Sequence, residues 1–245
     1  MAASTFHARD GDKKMVRIYG ATSFPSVLGL SSSSTRQILM LALVVSFIVT
    51  GQAANATDQA EKEKSAQNKA QVLEESASAN GDKAVPHPSE KITKPEVQAV
   101  DPTGKEPMDE SITCLARSIY WEARGEDASG MQAVANAVMN RLAHKGFPNT
   151  ICGVVKQGLE QGACQFSWWC DGLSDQVIDN VLEQASYEVA KEIARKALNK
   201  QLKDLTRGAI YFHHKRVNPS WAQQYIMTAK VGEIVFYKPA GDQAK

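Results

Sequence analysis

The sequence predicts an α+β fold that is mainly α, in which a helical domain carries a small antiparallel β element. After residue 109, apolar residues recur at helical spacing in several segments, a pattern typical of amphipathic helices. Two short runs, GAIYFHH (208–214) and GEIVFYK (232–238), are rich in branched and aromatic residues and predict strands. Residues 57–108 contain no aromatic residue, so we expect residues 109–240 to form the folded domain.

The N-terminal residues 1–56 have the features of a signal peptide or a signal anchor. Basic residues precede the apolar run ILMLALVVSFIV (38–49), and the A-x-A sequence ANA (54–56) follows it. The run is shorter than the ~20 apolar residues of a usual spanning helix, which favours cleavage. The long region before the run indicates instead either a true start at Met15 or an uncleaved anchor, with residues 38–50 retained in the inner membrane. Both alternatives predict a periplasmic or secreted domain.

Residues 57–108 are predicted to be a disordered linker. They are rich in charged and small polar residues, with several prolines. A segment with so little apolar material cannot offset the entropy lost on ordering. A charged helix near residues 60–75 is the alternative, and it would be marginal by itself.

Three amphipathic helices are expected in the domain. The first begins near Glu110 and ends at Gly125, the second begins at Ser129 and ends before Gly146, and the third spans roughly residues 176–202. In the first helix, the predicted apolar face consists of Ile112, Leu115, Ala116, Ile119 and Ala123, and the residues predicted to point elsewhere are Arg117, Trp121 and Arg124. In the second, the periodic apolar residues are Val134, Ala135, Val138 and Leu142. In the third, the predicted inward residues are Val177, Ile178, Val181, Ala185, Val189, Ile193 and Ala197.

The two strand-like runs are expected to pair as an antiparallel ribbon. The connection KRVNPSWAQQY (215–225) between them contains Trp221 and could line a cleft. His213 and His214 stand at the end of the first run, where a histidine pair is more often structural or exposed than catalytic.

The four cysteines predict two disulfides. Cys114, Cys152, Cys164 and Cys170 all lie in the domain that we expect to be exported, and an even cysteine count there is typical of disulfides. Three pairings remain open. A structural zinc site is the weaker alternative, because the spacing of Cys164 and Cys170 is wider than a usual zinc half-site. We therefore expect no metal.

Overall charge gives no reason to expect a nucleic acid or an anionic membrane surface as the main partner. Lysine and arginine total 28, against 27 aspartate and glutamate residues. A nucleic-acid-binding domain would carry a clear basic excess.

Glu122 is the candidate catalytic residue. It lies in IYWEARGEDASG (119–130), three residues after Ile119 and at the margin of the predicted apolar face. A carboxyl that is partly withdrawn from water has a raised pKa, which suits a general acid near neutral pH. The alternative is a helix-edge glutamate that pairs with Arg124 or Arg117.

The loop CQFSWWCDG (164–172) is the candidate substrate-binding segment. Sugar rings combine apolar faces with polar rims, so aromatic side chains beside amide and hydroxyl groups suit them. The alternative is a tryptophan pair buried in a small core, and we expect one of Trp168 and Trp169 to have each role. The complete set of predicted substrate-binding residues is Gln165, Phe166, Ser167, Trp168, Trp169, Glu126, Asp171 and Tyr211.

Four motifs, in this order, resemble the SleB/CwlJ family of cell wall hydrolases. They are CLARSIYWEARGE, GMQAVANAVMNRL, FPNTICGVV and CQFSWWCDG, and the resemblance extends over about residues 111–237. It implies a lysozyme-like helical catalytic domain that needs no cofactor and acts on peptidoglycan. It further implies that Glu122 is the catalytic acid and that cleavage falls between N-acetylmuramic acid and N-acetylglucosamine, as in a lytic transglycosylase.

The sequence departs from the family at Ile234, where many members have a histidine, and in its four cysteines. Two other functions stay open. A zinc-dependent amidase would cut the muramyl-peptide bond, but the domain offers only His144, His213 and His214 as histidine ligands. A non-catalytic peptidoglycan-binding module would keep the tryptophan loop without needing Glu122.

Overall fold

The computed structural model describes the backbone of residues 35–80, 86–161 and 164–241, and side chains within those ranges from residue 55 onward. Residues 1–34 and the side chains of the apolar run 38–49 lie outside the described residues, so the predicted export signal does too. Within the described part of the chain, no helix is both long enough and apolar enough to cross a membrane. Of the described residues, those from 59 onward belong to one compact unit and residues 35–58 belong to a second.

The fold is mainly helical with one small antiparallel sheet, as the sequence predicts. The helices are α1 (Thr35–Asn80), α2 (Lys94–Ala99), α3 (Ser111–Glu122), α4 (Ala128–Leu142), α5 (Ile151–Lys156) and α6 (Val181–Leu198). The strands are β1 (Tyr211–His214), β2 (Ile226–Val231) and β3 (Ile234–Lys238), in the spatial order β1-β3-β2. The sequence predicts β1 and β3 but not β2, because β2 is a half-exposed edge strand with an irregular register at Met227 and Ala229.

Helix α3 is the centre of the domain and packs against α4, α5 and α6. Its predicted apolar face is fully buried. Arg117 and Trp121, which were predicted to point away from the core, are nevertheless only 1% and 5% exposed. The helix is covered on every side, and Arg117 donates to the buried carboxylate of Asp101 at 2.7 Å. This pairing allows a charged side chain to be buried.

Residues 57–108 differ from the predicted disordered linker. Within this segment, α1 continues to Asn80 and buries Ala66, Ala70 and Leu73 in the main core. Alanines four residues apart share one helix face, and their small side chains let the helix approach the core closely without any aromatic residue. Glu74 is also buried and accepts hydrogen bonds from the Ser111 hydroxyl and the Ile151 amide. A helix covers residues 60–75, where the alternative placed a short one, but it is part of the longer α1.

Helix α6 is shorter than predicted and turned about its axis. It begins at Val181, where the Asn180 side chain accepts hydrogen bonds from the amides of Leu182 and Glu183, an arrangement typical of an N-cap. Val181 and Val189, predicted to face inward, are 84% and 43% exposed. Ile193 and Ala197 are buried as predicted, and the other side chains that α6 buries are Tyr187, Ala190, Lys191, Ala194, Arg195 and Leu198.

Hydrogen bonds of polar side chains explain why α6 buries a different face from the predicted one. Tyr187 donates to Asp101, Lys191 donates to the Val100 carbonyl, and Arg195 donates to the Ile92 carbonyl. These acceptors all belong to the segment that was predicted to be a linker. A count of apolar residues cannot predict a face whose buried members are polar.

The two predicted disulfides are confirmed, and the structure fixes their pairing. Cys114 of α3 bonds to Cys152 of α5. Cys164 bonds to Cys170 and closes the loop that carries the tryptophans. The zinc alternative is therefore wrong for these cysteines, since none of them is free.

Candidate active site

Glu122 is the last residue of α3 and is half-buried. The chain leaves the helix through Gly125, which has a positive φ of 86° and so favours glycine. Burial raises the pKa of Glu122 from 4.5 to about 8, and the positive charge of Arg141 acts against this rise. The carboxyl therefore holds a proton at neutral pH, which a general acid requires.

Neither of the arginines considered as partners of Glu122 pairs with it. Arg117 binds Asp101, and Arg124 donates to Glu183 of α6 through Nε at 3.1 Å and Nη2 at 2.7 Å. Tyr120 donates to the other oxygen of Glu183 at 2.7 Å. Arg124 thus connects the turn after Glu122 to α6. The alternative for Glu122, an ion pair with Arg117 or Arg124 at the helix edge, is not formed.

Glu126 faces the turn between β2 and β3. Its Oε2 accepts a hydrogen bond from the Glu233 amide at 3.0 Å, and its Oε1 lies 3.8 Å from Nε2 of His214. The side chain is only 9% exposed. A Cβ on Gly232 would lie 1.9 Å from Oε2, so the turn can approach only because that residue is glycine. The carboxylate that was predicted to bind substrate is thus engaged within the protein.

The disulfide-closed loop packs against Trp121, the residue before Glu122. Trp168 is 5% exposed and stacks on Trp121, with ring centroids 6.5 Å apart and an interplanar angle of 25°. Trp169 is half-buried, with Nζ of Lys156 at 4.7 Å from its ring. One tryptophan is therefore buried and the other is partly open to solvent.

The other loop residues that were predicted to bind substrate are not equally accessible. Phe166 is fully buried, Gln165 and Ser167 are half-buried, and Asp171 is exposed. Oδ1 of Asp171 accepts a hydrogen bond from the Leu173 amide at 2.8 Å. Phe166 contributes to the loop as a core residue, whereas the polar side chains around it reach the surface.

Tyr211 of β1 belongs to an aromatic cluster that the sequence analysis did not predict. Its ring stacks on Tyr225 at 4.7 Å, and its ring centroid lies 5.8 Å from that of Trp221 and 6.2 Å from that of Phe147. Tyr211 and Tyr225 are half-buried. Trp221 stood in a connection expected to line a cleft, so the cluster had a partial signal in the sequence.

Both histidines of β1 have structural contacts. His213 is buried, and its Nε2 lies 3.0 Å from the Tyr237 hydroxyl. His214 lies beside Glu126, and burial lowers its pKa. Among the described residues, no group of three His, Cys, Asp or Glu side chains could hold a metal ion.

Arg141 of α4 is a site residue that the sequence analysis missed. It is 1% exposed and lies three residues after Val138, on the inward side of the helix. A charged residue within an apolar stripe was the available signal. The guanidinium and the Glu122 carboxyl interact electrostatically, and the same interaction appears in the pKa values of both groups.

The chain is similar in sequence to known cell wall enzymes. Residues 125–237 match the Cell Wall Hydrolase family (Hydrolase_2), a match that begins three residues after Glu122. The spore cortex-lytic enzyme of Bacillus subtilis is 44% identical over 48 residues, which is 20% of this chain and 16% of that enzyme. The spore cortex-lytic enzyme of Bacillus cereus is 43% identical over 44 residues, 18% of this chain and 17% of that enzyme.

The chain is also similar to two solved structures. The catalytic domain of the Bacillus cereus SleB protein is 26% identical and covers 52% of this chain and 89% of that one, with a TM-score of 0.38. The catalytic domain of the germination-specific lytic transglycosylase SleB from Bacillus anthracis is 27% identical and covers 52% and 93%, with a TM-score of 0.39. The sequence matches span less than a fifth of the curated relatives. Residues 125–237, less than half of this chain, are thus similar to the Cell Wall Hydrolase family.

Proposed function

We propose that this chain cleaves peptidoglycan glycan strands between N-acetylmuramic acid and N-acetylglucosamine, as a lytic transglycosylase that produces anhydro-muropeptides. Glu122 is the single general acid and base in this proposal. The observation that carries it is the half-buried carboxyl whose pKa is raised to about 8, next to the tryptophan loop. Similarity to the lytic transglycosylase SleB of Bacillus anthracis supports the reaction type.

The proposed reaction needs one carboxyl for two proton transfers. Protonated Glu122 donates its proton to the glycosidic oxygen as the bond to the anomeric carbon of muramic acid breaks. The resulting carboxylate takes the proton of the muramic acid hydroxyl that attacks the same carbon and closes the anhydro ring. Glu122 is protonated again at the end, and no water is consumed.

The positions of the other carboxylates support a single acid. A two-carboxylate glycosidase needs a second carboxyl about 5–10 Å away, across the bond that is cut. Glu126 accepts a hydrogen bond from the Glu233 amide, and Glu183 accepts hydrogen bonds from Arg124 and Tyr120. Asp171, an acidic residue of the tryptophan loop, is exposed and accepts a hydrogen bond from the Leu173 amide.

We further propose that the domain acts outside the cytoplasm, in the periplasm or as a secreted protein. Two disulfides are typical of exported proteins. Peptidoglycan, the proposed substrate, also lies outside the cytoplasm. An intact-mass measurement distinguishes the cleaved form from the anchored form, since cleavage would give a chain that starts near Thr57 and retention would keep residues 38–50 in the inner membrane.

Product analysis tests the proposed reaction. Purified peptidoglycan is digested with the chain and with Glu122→Gln, and the products are identified by mass spectrometry. We expect anhydro-muropeptides from the parent chain and a loss of at least ~10²–10⁴-fold in Glu122→Gln, the usual contribution of a general acid–base group. Glu61→Gln, an exposed position on α1, is the matched control and should be fully active.

Each other outcome contradicts a defined part of the proposal. Reducing muramic acid ends would mean hydrolysis with water instead of ring closure. Freed stem peptides would mean amidase activity. Binding of glycan strands without any product would indicate a non-catalytic peptidoglycan-binding module. Wild-type turnover by Glu122→Gln would remove Glu122 from the mechanism.

A further inference from the structure

The buried guanidinium of Arg141 is the least expected charged group in the domain. Its Nε donates to the Ile210 carbonyl at 2.7 Å. Its Nη1 is buried and has no hydrogen-bond partner within the described residues. A buried charge with incomplete hydrogen bonding costs several kcal/mol, and an apolar residue of similar volume is often at least as stable. The fold therefore does not need this charge for stability.

Aromatic rings surround the guanidinium. The carbon of the guanidinium lies 4.9 Å from the ring centroid of Phe166, 5.5 Å from Phe147, 5.7 Å from Phe212 and 6.0 Å from Tyr211. An arginine tolerates such a setting better than a lysine, because it is weakly hydrated and interacts favourably with ring faces. These rings come from the tryptophan loop, from β1 and from the segment after α4. They keep the cation in place and keep water away from it.

The charged group that acts on Arg141 is Glu122, across the interface between α3 and α4. Burial lowers the pKa of Arg141 to about 10, and Glu122 acts in the opposite direction. The guanidinium therefore remains charged at neutral pH. Without it, a carboxylate at position 122 would have no opposite charge to offset the loss of water, and burial alone would raise its pKa further.

Other charged groups near α3 are engaged elsewhere. Arg117 of α3 pairs with Asp101, and Lys156 of α5 donates to the Met108 carbonyl. On α6, Glu183 binds Arg124 and Tyr120, Tyr187 donates to Asp101, Lys191 donates to the Val100 carbonyl and pairs with Glu188, and Arg195 and Lys196 pair with Glu192. Glu126 accepts a hydrogen bond from the Glu233 amide, and His214 lies beside Glu126. None of these groups shifts the pKa of the Glu122 carboxyl, whereas the charge of Arg141 lowers it.

We propose that Arg141 is a positioning residue that supplies the counter-charge for the Glu122 carboxylate between its two proton transfers. This inference rests on the proposed function, in which Glu122 is neutral before bond cleavage and negative until the ring closes. A buried cation at a fixed place stabilises the negative state without contacting substrate. It makes Glu122 a stronger acid for the first transfer, and the carboxylate stays available for the second.

The test compares Arg141→Met, which removes the charge, with Arg141→Lys, which keeps it. The carboxyl titration of Glu122 is followed by carbon-13 NMR without substrate, and the pH dependence of turnover is measured on purified glycan strands. In Arg141→Met we expect the Glu122 midpoint and the alkaline limb of activity to move upward by about one pH unit or more. We expect kcat at pH 7 to fall ~10-fold or more, with KM within ~3-fold of the parent value. In Arg141→Lys both midpoints should lie between those of the parent and of Arg141→Met, because a buried lysine keeps its charge less well than an arginine.

The control is Arg207→Met, which removes the same charge from an exposed position and should leave both midpoints unchanged. If Arg141→Met does not fold, Arg141→Gln replaces it, because its amide can still donate to the Ile210 carbonyl. An unchanged Glu122 titration in the folded neutral variant would overturn the inference. The titration needs no turnover, so it tests Arg141 even if the proposed reaction is wrong.

Discussion

At the scale of single residues, burial determines the chemistry of the site. Glu122 and Arg141 are the two charged groups whose pKa values burial moves most plainly toward neutral pH, the first upward to about 8 and the second downward to about 10. Trp121, the residue before Glu122, stacks on the buried Trp168. The candidate site therefore consists of an acid in a mainly apolar setting with one nearby cation.

Glu122→Gln should stabilise the protein while it abolishes activity. The folded protein binds the Glu122 proton more tightly than the unfolded chain, since the pKa rises from 4.5 to about 8. The contribution of Glu122 to stability is therefore fully present below pH 4.5 and is lost as the pH rises to about 8, by up to about 1.4 kcal/mol per pH unit. Melting temperatures of both proteins between pH 4 and pH 9 test this. A difference that stays constant with pH would contradict the raised pKa.

The two loop tryptophans should respond differently to truncation. Trp168→Ala removes a buried ring and should cost ~3–5 kcal/mol of stability. Trp169 is partly open, so Trp169→Ala should mainly weaken glycan binding, by ~10-fold in KM if it contacts a sugar face. Denaturant unfolding measures the first effect, and initial rates at varied strand concentration measure the second. Equal KM values for parent and Trp169→Ala would leave Trp169 without a role in binding.

At the scale of elements, the segment around Glu122 is held at both ends. Arg124 attaches it to α6, and Glu126 attaches it to the turn between β2 and β3. Because the same short segment ends α3 and carries Glu122, these two contacts fix where the acid stands. The second carboxylate of the EARGE sequence thus has a structural role that its position in the sequence does not indicate.

The contact between Glu126 and the turn should survive replacement of the carboxylate by an amide but not removal of the side chain. Glu126→Gln keeps an oxygen that can accept a hydrogen bond from the Glu233 amide, so activity should fall only ~2–5-fold. Glu126→Ala loses that hydrogen bond, which water can replace at the exposed amide, and should lose ~0.5–1.5 kcal/mol of stability. Gly232→Ala should be comparably harmful, because its Cβ would meet the Glu126 carboxylate. Activity and melting temperature of the three variants are the measurements. Complete inactivity of a folded Glu126→Gln would make Glu126 a second catalytic carboxylate.

The N-terminal segment is an element of the domain, and its removal should be costly. A chain that starts at residue 109 lacks Asp101, and the buried Arg117 would lose its ion pair, a change that costs ~3–5 kcal/mol by itself. It also lacks the buried residues of α1. We expect a 59–245 chain to unfold cooperatively and a 109–245 chain to be largely unfolded at 25 °C. Circular dichroism and urea unfolding of both chains test this, and equal midpoints would restore the linker interpretation.

At the scale of the whole molecule, the two disulfides differ in what they connect. Cys114–Cys152 links α3 to α5 across 38 residues, whereas Cys164–Cys170 spans only 6. Longer closed loops restrict the unfolded chain more. The first bond therefore contributes mainly to global stability, and the second holds the tryptophan loop.

Removing each bond should separate these effects. The double variant Cys114→Ser with Cys152→Ser should lose ~2–5 kcal/mol of unfolding free energy. The double variant Cys164→Ser with Cys170→Ser should lose less stability but should raise KM, because the loop that carries Trp169 is no longer closed. Thermal unfolding and steady-state kinetics of both variants measure this. The opposite order of stability losses would contradict the assignment.

The sequence by itself determined the mainly helical class, the two disulfides, the position of Glu122 at the margin of an apolar face and the motifs of the family. Each of these depends on residues that are close in the chain, or on residue types that have few structural uses. Helical spacing reports the face of one helix, so the apolar residues that it placed inward on α3 and α4 are buried, although it missed the buried Arg117, Trp121 and Arg141.

Only the tertiary structure decided which surfaces cover each other. The order of residues 57–108, the turned face of α6, the cysteine pairing, the contact of Glu126 with the hairpin turn and the place of Arg141 beside Glu122 all depend on partners far away in the chain. Polar side chains such as Tyr187, Lys191 and Arg141 are buried because distant groups accept their hydrogen bonds or surround their charge. A linear pattern contains no information about such acceptors, and the free energy of burying these groups changes sign with their presence.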